Sequence, residues 1–356
     1  MKRSARVKLH PAALQHNLLQ ARKAVPNAKV LAVIKANAYG HGMLDVANIL
    51  NNADGYAVAC IPEGIALRCA GTGHPILVLQ GHQQLQDLHA ASDYQLRVVI
   101  HDQSQLAYFD QLGTQRIQIA IKIDTGMHRL GIPPETVNSL YYKLKNHPNI
   151  DTDIWLMTHL ACADNLNNPA TTQQLKCFTH SIANITAPTS IPNSAGILGW
   201  QASHSDWIRP GIMLYGSSPF DSKQQDRDQY KLQATMTLSA PLIGIHQLKK
   251  GDPIGYGASY HCPQDMRVGA VACGYADGYP RHAATGAPVS IKGSETHTVG
   301  RVSMDSIMVN LDNISVNVGD EVELWGENIS VDRVAQHAET ISYELLCNAG
   351  NNCSRG

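Results

Sequence analysis

Eight short apolar segments are spaced through the first two thirds of this chain, and they constrain its fold more than any other feature. Most are continuous apolar runs, which is typical of strands buried on both faces. Helix-like segments lie between several of them, for example 62–71 and 133–147, the latter beginning with two prolines. Strands separated by helices form right-handed βαβ units, and eight units over about 215 residues predict a (β/α)8 barrel. The predicted strands are 29–36, 55–61, 75–81, 96–102, 117–124, 154–161, 190–198 and 208–216.

An open, doubly wound sheet is the alternative arrangement for such a pattern. The first predicted strand is not followed by a GxGxxG sequence, which a dinucleotide-binding sheet of that type carries. The number of units also favours a closed barrel over an open sheet.

The character of the sequence changes after residue 220. Segment 220–233 is polar and loop-like, and short strand-like runs separated by turn residues follow it. We therefore predict a barrel domain over 1–230 and a C-terminal β-rich domain over 231–356. The strand-like runs are 235–248, 267–275, 287–293, 297–311 and 320–326.

Composition excludes several classes of protein. The formal net charge of the 356 residues is −1, which gives no indication of a nucleic-acid or membrane-surface partner. The 17 histidines are scattered without an HExxH pair, so we expect no metal site. No run approaches the ~18 apolar residues of a membrane span, and the basic N-terminus lacks the apolar segment of a secretion signal. The eight cysteines form no CxxC pair and favour free thiols, so we expect a cytoplasmic protein.

One lysine stands out in the segment VLAVIKANAYGHG, residues 30–42. An apolar strand delivers Lys35 into a loop of small residues, and Tyr39 follows four residues later. A buried lysine is costly to keep charged. A neutral amine can form a Schiff base with an aldehyde, as enzymes that use pyridoxal 5'-phosphate (PLP) require. The alternative is an ordinary surface lysine just beyond a strand.

Other reactive side chains lie within or just after the later predicted strands. In a parallel barrel the carboxyl ends of the strands meet at one rim, where the active site lies. Each residue alone has an ordinary structural explanation, but their convergence on one rim favours a catalytic site. The candidates are Lys35, Arg129, His159, Asn193, Ser194 and Arg209, of which Asn193 and Ser194 fall within the predicted strand 190–198.

Nine sequence blocks between residue 30 and about residue 347 resemble the alanine racemase family, in the family's order and approximate spacing. The resemblance implies a PLP-binding (β/α)8 TIM barrel followed by a β domain, and an enzyme that interconverts L- and D-alanine for peptidoglycan synthesis. The blocks are AVIKANAYGHG, KIDTGMHRLG, THLACAD, NSAGIL, RPGIMLYG, GYGASY, GYADGYPR, VGRVSMDS and SYELLC.

The resemblance also assigns catalytic roles. Lys35 would bind PLP as a Schiff base and act as one of two acid/base groups, and Tyr256 would be the other. Racemisation removes a proton from one face of Cα and returns it to the other, so two opposed groups suit it. A free tyrosine has a pKa near ~10, and the family supports it with residues matching His159 and Arg209. Arg209 would also face the ring nitrogen, which it cannot protonate, and this disfavours transamination.

Further positions match residues that bind cofactor and substrate in the family. Arg129 and Met304 would bind the substrate carboxylate, Met304 through its backbone N–H. Lys122 lies in an apolar strand and matches a lysine that some members carry as a carbamate, although a lysine that reaches the surface is also possible. The phosphate would be held by Tyr39, Ser194, Gly211, Ile212 and Tyr343.

The resemblance leaves some questions open. In the family, Tyr256 and Met304 face the cofactor of the other subunit, which implies a homodimer with shared active sites. Serine or a broader set of amino acids is an alternative substrate, because a small pocket rejects an added hydroxyl poorly. A decarboxylase of the same fold is disfavoured by Arg209, and a non-catalytic PLP carrier by the β domain. After SYELLC the sequence NAGNNCSRG departs from the family and has little strand propensity.

Overall fold

The computed structural model describes residues 3–220 and 227–355. It contains a closed barrel of eight parallel strands followed by a β-rich domain, so the predicted fold class is confirmed. Most of the predicted polar segment 220–233 is described, but residues 221–226 lie outside the described part of the chain.

The first strand, β1 (Arg6–Leu9), precedes the barrel and lies outside it. The barrel strands that follow are almost fully buried, as their continuous apolar sequences predict. Each pairs in parallel with the next along the chain, and the last closes on the first. They are β2 (Lys29–Val33), β3 (Gly55–Val58), β4 (Ile76–Val78), β5 (Arg97–Ile100), β6 (Gln118–Lys122), β7 (Trp155–Met157), β8 (Thr189–Ser190) and β9 (Trp207–Ile208).

Helices and 3-10 turns connect the barrel strands. The two helices predicted from the sequence are present, and Pro62 lies in the first turn of one of them. The α-helices are α1 (Pro11–Ala24), α2 (Lys35–Tyr39, a single turn), α3 (Met43–Ile49), α4 (Ile61–Cys69), α5 (Leu85–Asp93), α6 (Val137–Lys145), α7 (Ala170–Ser181) and α8 (Ser194–Gly199). The 3-10 segments are Gln103–Gln111, Pro134–Thr136, Gln201–Ser203, Ile212–Tyr215 and Arg227–Tyr230.

The predicted strand 190–198 is wrong over most of its length, because β8 ends at Ser190. Pro192 has no N–H to donate to a neighbouring strand. Asn193 instead caps helix α8, and its side chain accepts the Gly196 N–H at 3.0 Å. Asn193 and Ser194 therefore lie in a strand-to-helix turn and not in a strand, and His159 likewise lies beyond the end of β7.

The C-terminal domain is mostly antiparallel and built around the long strand β10. Its sheet runs in the order β15-β14-β17-β10-β1-β18, and β13 and β16 continue it from the second half of β10. The strands are β10 (Met236–Leu248), β11 (Pro253–Ile254), β12 (Tyr260–His261), β13 (Met266–Val271), β14 (Pro288–Ile291), β15 (Ser294–His297), β16 (Ile307–Asn310), β17 (Glu321–Trp325) and β18 (Ser354–Arg355). The 3-10 segments here are Tyr256–Ala258 and Tyr275–Asp277.

Strand β1 belongs to this sheet although it precedes the barrel in the chain. Arg6 to Leu9 pair antiparallel with Ser239 to Met236 of β10. The domain boundary predicted at residue 230 remains a proposal. We add to it that β1, at the start of the chain, belongs to the sheet of the C-terminal domain. Both domains share one continuous hydrophobic core.

Two helices that the sequence reading did not assign complete the C-terminal domain, α9 (Val331–His337) and α10 (Ser342–Asn352). The unusual sequence after SYELLC extends α10, and Ser354–Arg355 then pairs in parallel with β1.

All eight cysteines are free thiols, of which only Cys262 and Cys273 are buried. No helix in the described ranges is long and apolar enough to cross a membrane.

Candidate active site

A cavity of about 590 Å³ opens at the carboxyl ends of the barrel strands. It brings together the predicted Lys35, Arg129, His159 and Arg209, which come from four separate segments of the chain. Helix α10 of the C-terminal domain closes one side with Tyr343 and Cys347. The remaining lining residues are Val33, Ala36, Tyr39, Leu79, Gln80, Lys122, Leu130, Met157, Asn193, Ser194, Gly211 and Ile212.

Lys35 is held at the start of an unusual left-handed turn. The next four residues, Ala36 to Tyr39, all have φ between 51° and 54°, although none is glycine. A left-handed conformation costs an L-residue about 1–2 kcal/mol, so the surrounding structure must hold this turn in place. Gly40 continues the positive φ and packs so closely on α10 that an added Cβ would lie 2.3 Å from the Leu346 carbonyl oxygen.

The cavity is rich in positive charge. Lys35, Lys122, Arg129 and Arg209 all line it, whereas no acidic side chain does so among the described residues. Burial and the nearby Arg129 guanidinium lower the pKa of Lys35. The same two causes lower the pKa of Lys122 to about 8. The site is therefore suited to anionic ligands and to neutral amines.

Arg209 is fixed by neutral partners. Its guanidinium donates to Ser190 Oγ at 2.6 Å and to the carbonyl oxygens of Thr158 and Ile191 at 2.6 and 3.0 Å. Burial lowers its pKa to about 10, which still leaves it charged near neutral pH. His159 lies close by, and burial together with Arg209 lowers its pKa well below the ordinary value. Near neutral pH the imidazole is therefore uncharged.

Hydroxyl and backbone donors gather at the end of the cavity near β9. The Tyr39 hydroxyl lies beside Gly211, because a Cβ added there would be 2.7 Å from it. The Tyr39 ring stacks on the Tyr215 ring with 4.5 Å between their centroids, and its centroid lies 5.9 Å from that of the Tyr343 ring. Ser194 Oγ accepts the Gly211 N–H at 2.9 Å, which leaves its own proton available for another acceptor.

Tyr256 and Met304 lie outside this cavity. Their side chains are 69% and 53% exposed, on the C-terminal domain. Tyr256 begins a 3-10 turn between two glycines with positive φ, Gly255 and Gly257. One chain alone therefore does not bring the second predicted acid/base group to Lys35.

Sequence reasoning missed two residues beside Lys35. The Glu63 carboxylate accepts the N–H of Ala36 at 2.9 Å, and Cys347 lines the cavity. Cys347 stands in the block SYELLC and could have been noticed there. Glu63 had no signal beyond its place at the start of a predicted helix.

The residues present fit PLP. A phosphate and a phenolic oxygen would supply the anions that the cavity lacks, and the hydroxyls of Tyr39, Ser194 and Tyr343 are donors that a phosphate accepts. Lys35 is a partly buried amine, and its lowered pKa favours the neutral form that reacts with an aldehyde. In residues 3–220 and 227–355, no group of His, Cys, Asp or Glu side chains could hold a metal ion.

Comparisons with known proteins agree with this geometry. The family model for the alanine racemase N-terminal domain matches residues 9–219, and the model for the C-terminal domain matches residues 235–356. An alanine racemase of Halorhodospira halophila is 43% identical over 350 residues, covering 98% of this chain and 96% of the relative.

Solved structures give the same result. The biosynthetic alanine racemase of Pseudomonas aeruginosa superposes with a TM-score of 0.95 at 38% identity, covering 100% of this chain and 99% of that one. An alanine racemase of Bartonella henselae with covalently bound pyridoxal phosphate has a TM-score of 0.89 at 26% identity, and 99% of each chain is covered.

A parallel barrel with a partly buried lysine at its mouth, and hydroxyls suited to hold a phosphate beside it, is the arrangement of a PLP-dependent enzyme. The matches cover nearly the whole chain in both domains. The chain belongs to the alanine racemase family.

Proposed function

We propose that this enzyme interconverts L- and D-alanine with PLP held on Lys35, and that it supplies D-alanine for peptidoglycan. One observation carries the proposal: Lys35, His159 and Arg209 line the same cavity as the hydroxyls suited to hold a phosphate. When bound, PLP supplies an electron-withdrawing ring that makes the Cα proton of an attached amino acid acidic. We also propose that the protein acts in the cytoplasm, as its sequence predicts.

The proposed proton transfers use two groups on opposite faces of the substrate. The Lys35 Nζ removes or returns the Cα proton on one face, which its lowered pKa favours. Tyr256 of a second copy of the chain does so on the other face. Because Tyr256 is mostly exposed in a single chain, a homodimer that covers it would complete the site. The neutral His159 beside Arg209 is suited to donate an N–H hydrogen bond to the oxygen of that tyrosine, which would favour its deprotonated form.

The remaining residues bind and orient. Arg129 and the Met304 backbone N–H would bind the substrate carboxylate. The hydroxyls of Tyr39, Ser194 and Tyr343 would hold the phosphate with the backbone at Gly211 and Ile212. Arg209, fixed by three neutral acceptors, would face the ring nitrogen and leave it without a proton.

We further propose that Lys122 carries a carbamate. Its neutral amine, favoured by a pKa of about 8, would form a C–N bond with carbon dioxide and release one proton to water. The resulting anion would pair with Arg129, whose charge already acts on Lys122. Mass spectrometry after trapping the carbamate by alkylation tests this modification directly.

The function is tested by incubating purified protein and PLP with L-alanine in heavy water. Proton NMR and chiral analysis should show loss of the Cα proton signal together with D-alanine. A protein that binds PLP but leaves alanine unchanged would contradict the substrate assignment, and L-serine is the next substrate to test. A Tyr256→Phe variant separates a racemase from a PLP carrier, since only the racemase would lose activity, and more so from one enantiomer.

A further inference from the structure

The turn that presents Lys35 has a backbone conformation that L-residues disfavour, so contacts from the surrounding structure must help to hold it. Four consecutive non-glycine residues, Ala36 to Tyr39, adopt positive φ. Such residues are sterically unfavourable and persist only where surrounding contacts hold them. The direction of the Lys35 side chain depends on this turn, because Lys35 immediately precedes it.

Glu63 contacts the turn at its first residue. Its Oε1 accepts the Ala36 N–H at 2.9 Å, and its Oε2 accepts the Ala59 N–H at 2.7 Å. Ala36 lies just beyond β2, and Ala59 lies just beyond the neighbouring strand β3. One carboxylate therefore joins the carboxyl ends of two adjacent barrel strands at the point where the left-handed turn begins.

We propose that Glu63 is a positioning residue for Lys35: its carboxylate fixes the left-handed turn and thereby aims the lysine amine into the cavity. The inference rests on the proposed function, since it concerns the residue that would hold PLP. Glu63 also places a negative charge near a lysine that otherwise faces Arg129 and Arg209, and it opposes their lowering of the Lys35 pKa.

Ordinary helix capping is the competing explanation. Glu63 lies in the first turn of α4, where an acidic side chain stabilises any helix. Asp87 offers a matched control, because it lies in the first turn of α5 in the next part of the barrel. Its carboxylate also accepts two backbone N–H groups, those of Gln83 and Gln84, but neither belongs to the turn that follows Lys35.

The test compares Glu63→Ala, Glu63→Gln and Asp87→Ala in the full-length enzyme. We expect Glu63→Ala to weaken PLP binding about tenfold, as loss of a hydrogen-bonded carboxylate would. It should lower kcat up to about 100-fold, because the amine is misplaced, while KM for alanine stays within about twofold. Amide hydrogen exchange over 35–40 should accelerate. Glu63→Gln keeps one acceptor oxygen and should fall between this variant and wild type.

Asp87→Ala should lower the melting temperature as much as Glu63→Ala but leave PLP affinity, kcat and exchange over 35–40 at wild-type values. If the two alanine variants behave alike, Glu63 is only a helix cap and the inference is overturned. The proposed function fails separately, if wild-type protein binds PLP without racemising alanine. Exchange over 35–40 and PLP affinity would decide the role of Glu63 in that case as well.

Discussion

The barrel mouth and the exposed face of the C-terminal domain are built in opposite ways. At the mouth, Lys35 and Arg209 are enclosed, and burial lowers the pKa of both. On the C-terminal face, Tyr256 and Met304 are mostly exposed. If Tyr256 transfers a proton in a site closed to water, as proposed, a second copy of the chain has to cover this face.

In the proposed homodimer, these two regions would have different roles. The mouth contains every group proposed to hold PLP, so cofactor binding needs only one chain. In the proposed homodimer, the second proton-transfer group would be supplied by another copy. Cofactor binding and catalysis should therefore respond differently to mutation and to separation of the subunits.

Mixing two inactive variants would give the largest effect. Lys35→Ala and Tyr256→Phe should each lower kcat by at least about 1,000-fold, since each removes an acid/base group. If active sites are shared, co-expression yields hybrid dimers with one intact site each, and about one quarter of wild-type activity should return. Steady-state racemisation assays on the separate and mixed proteins measure this.

A double variant carrying both substitutions on one chain is the control. Co-expressed with wild type, it should form hybrid dimers in which neither shared site is intact, so only the wild-type dimers should be active. If the mixture of single variants stays inactive while hybrid dimers form, each chain contains its whole site and the comparison between the two regions fails.

An Arg209→Lys substitution tests the rigidity of the mouth. Lysine keeps the charge but cannot reproduce the planar fork that reaches Ser190, Thr158 and Ile191. We expect a loss of roughly 2 kcal/mol of transition-state stabilisation, about thirtyfold in kcat/KM. Activity within threefold of wild type would mean that charge alone suffices. Ser104→Ala serves as a control, because Ser104 is exposed and does not line the cavity.

The sequence predicts the barrel strands better than the turns that follow them at the mouth. Continuous apolar runs determined the barrel, because strands buried on both faces leave a strong pattern. They did not reveal that strand β8 ends at Ser190 and that Asn193 caps helix α8, or that residues 36–39 turn left-handed. Such features depend on contacts from other segments, such as Glu63 and α10, which no local pattern records. Strand β1 joins the C-terminal sheet through a pairing more than 200 residues distant.

Packing of α10 against the Lys35 turn should be sensitive to one methyl group. A Cβ added at Gly350 would lie 1.8 Å from the Gly40 carbonyl oxygen, so Gly350→Ala must displace the helix that carries Tyr343. We expect a loss of about 1–3 kcal/mol in unfolding free energy and weaker PLP binding. Gly73→Ala has open space around it and should be nearly neutral. Urea unfolding and PLP titration distinguish the two, and equal stabilities would contradict the contact.

The last prediction concerns the charge balance of the mouth. Burial lowers the pKa of Lys122 to about 8 in the folded protein, against about 10.4 when unfolded. Between these values the unfolded chain binds more protons, so stability should rise with pH, by at most about 1.4 kcal/mol per pH unit. Lys122→Met should show a smaller rise than wild type, because Lys35, whose pKa burial also lowers, still titrates. Urea unfolding of PLP-free protein at pH values from about 7.5 to about 10 measures both slopes. Bicarbonate should also flatten the wild-type curve if a carbamate forms, because a carbamylated lysine no longer titrates. A slope that persists unchanged in Lys122→Met would assign the rise to another group and leave the mouth able to hold its cations without bound anions.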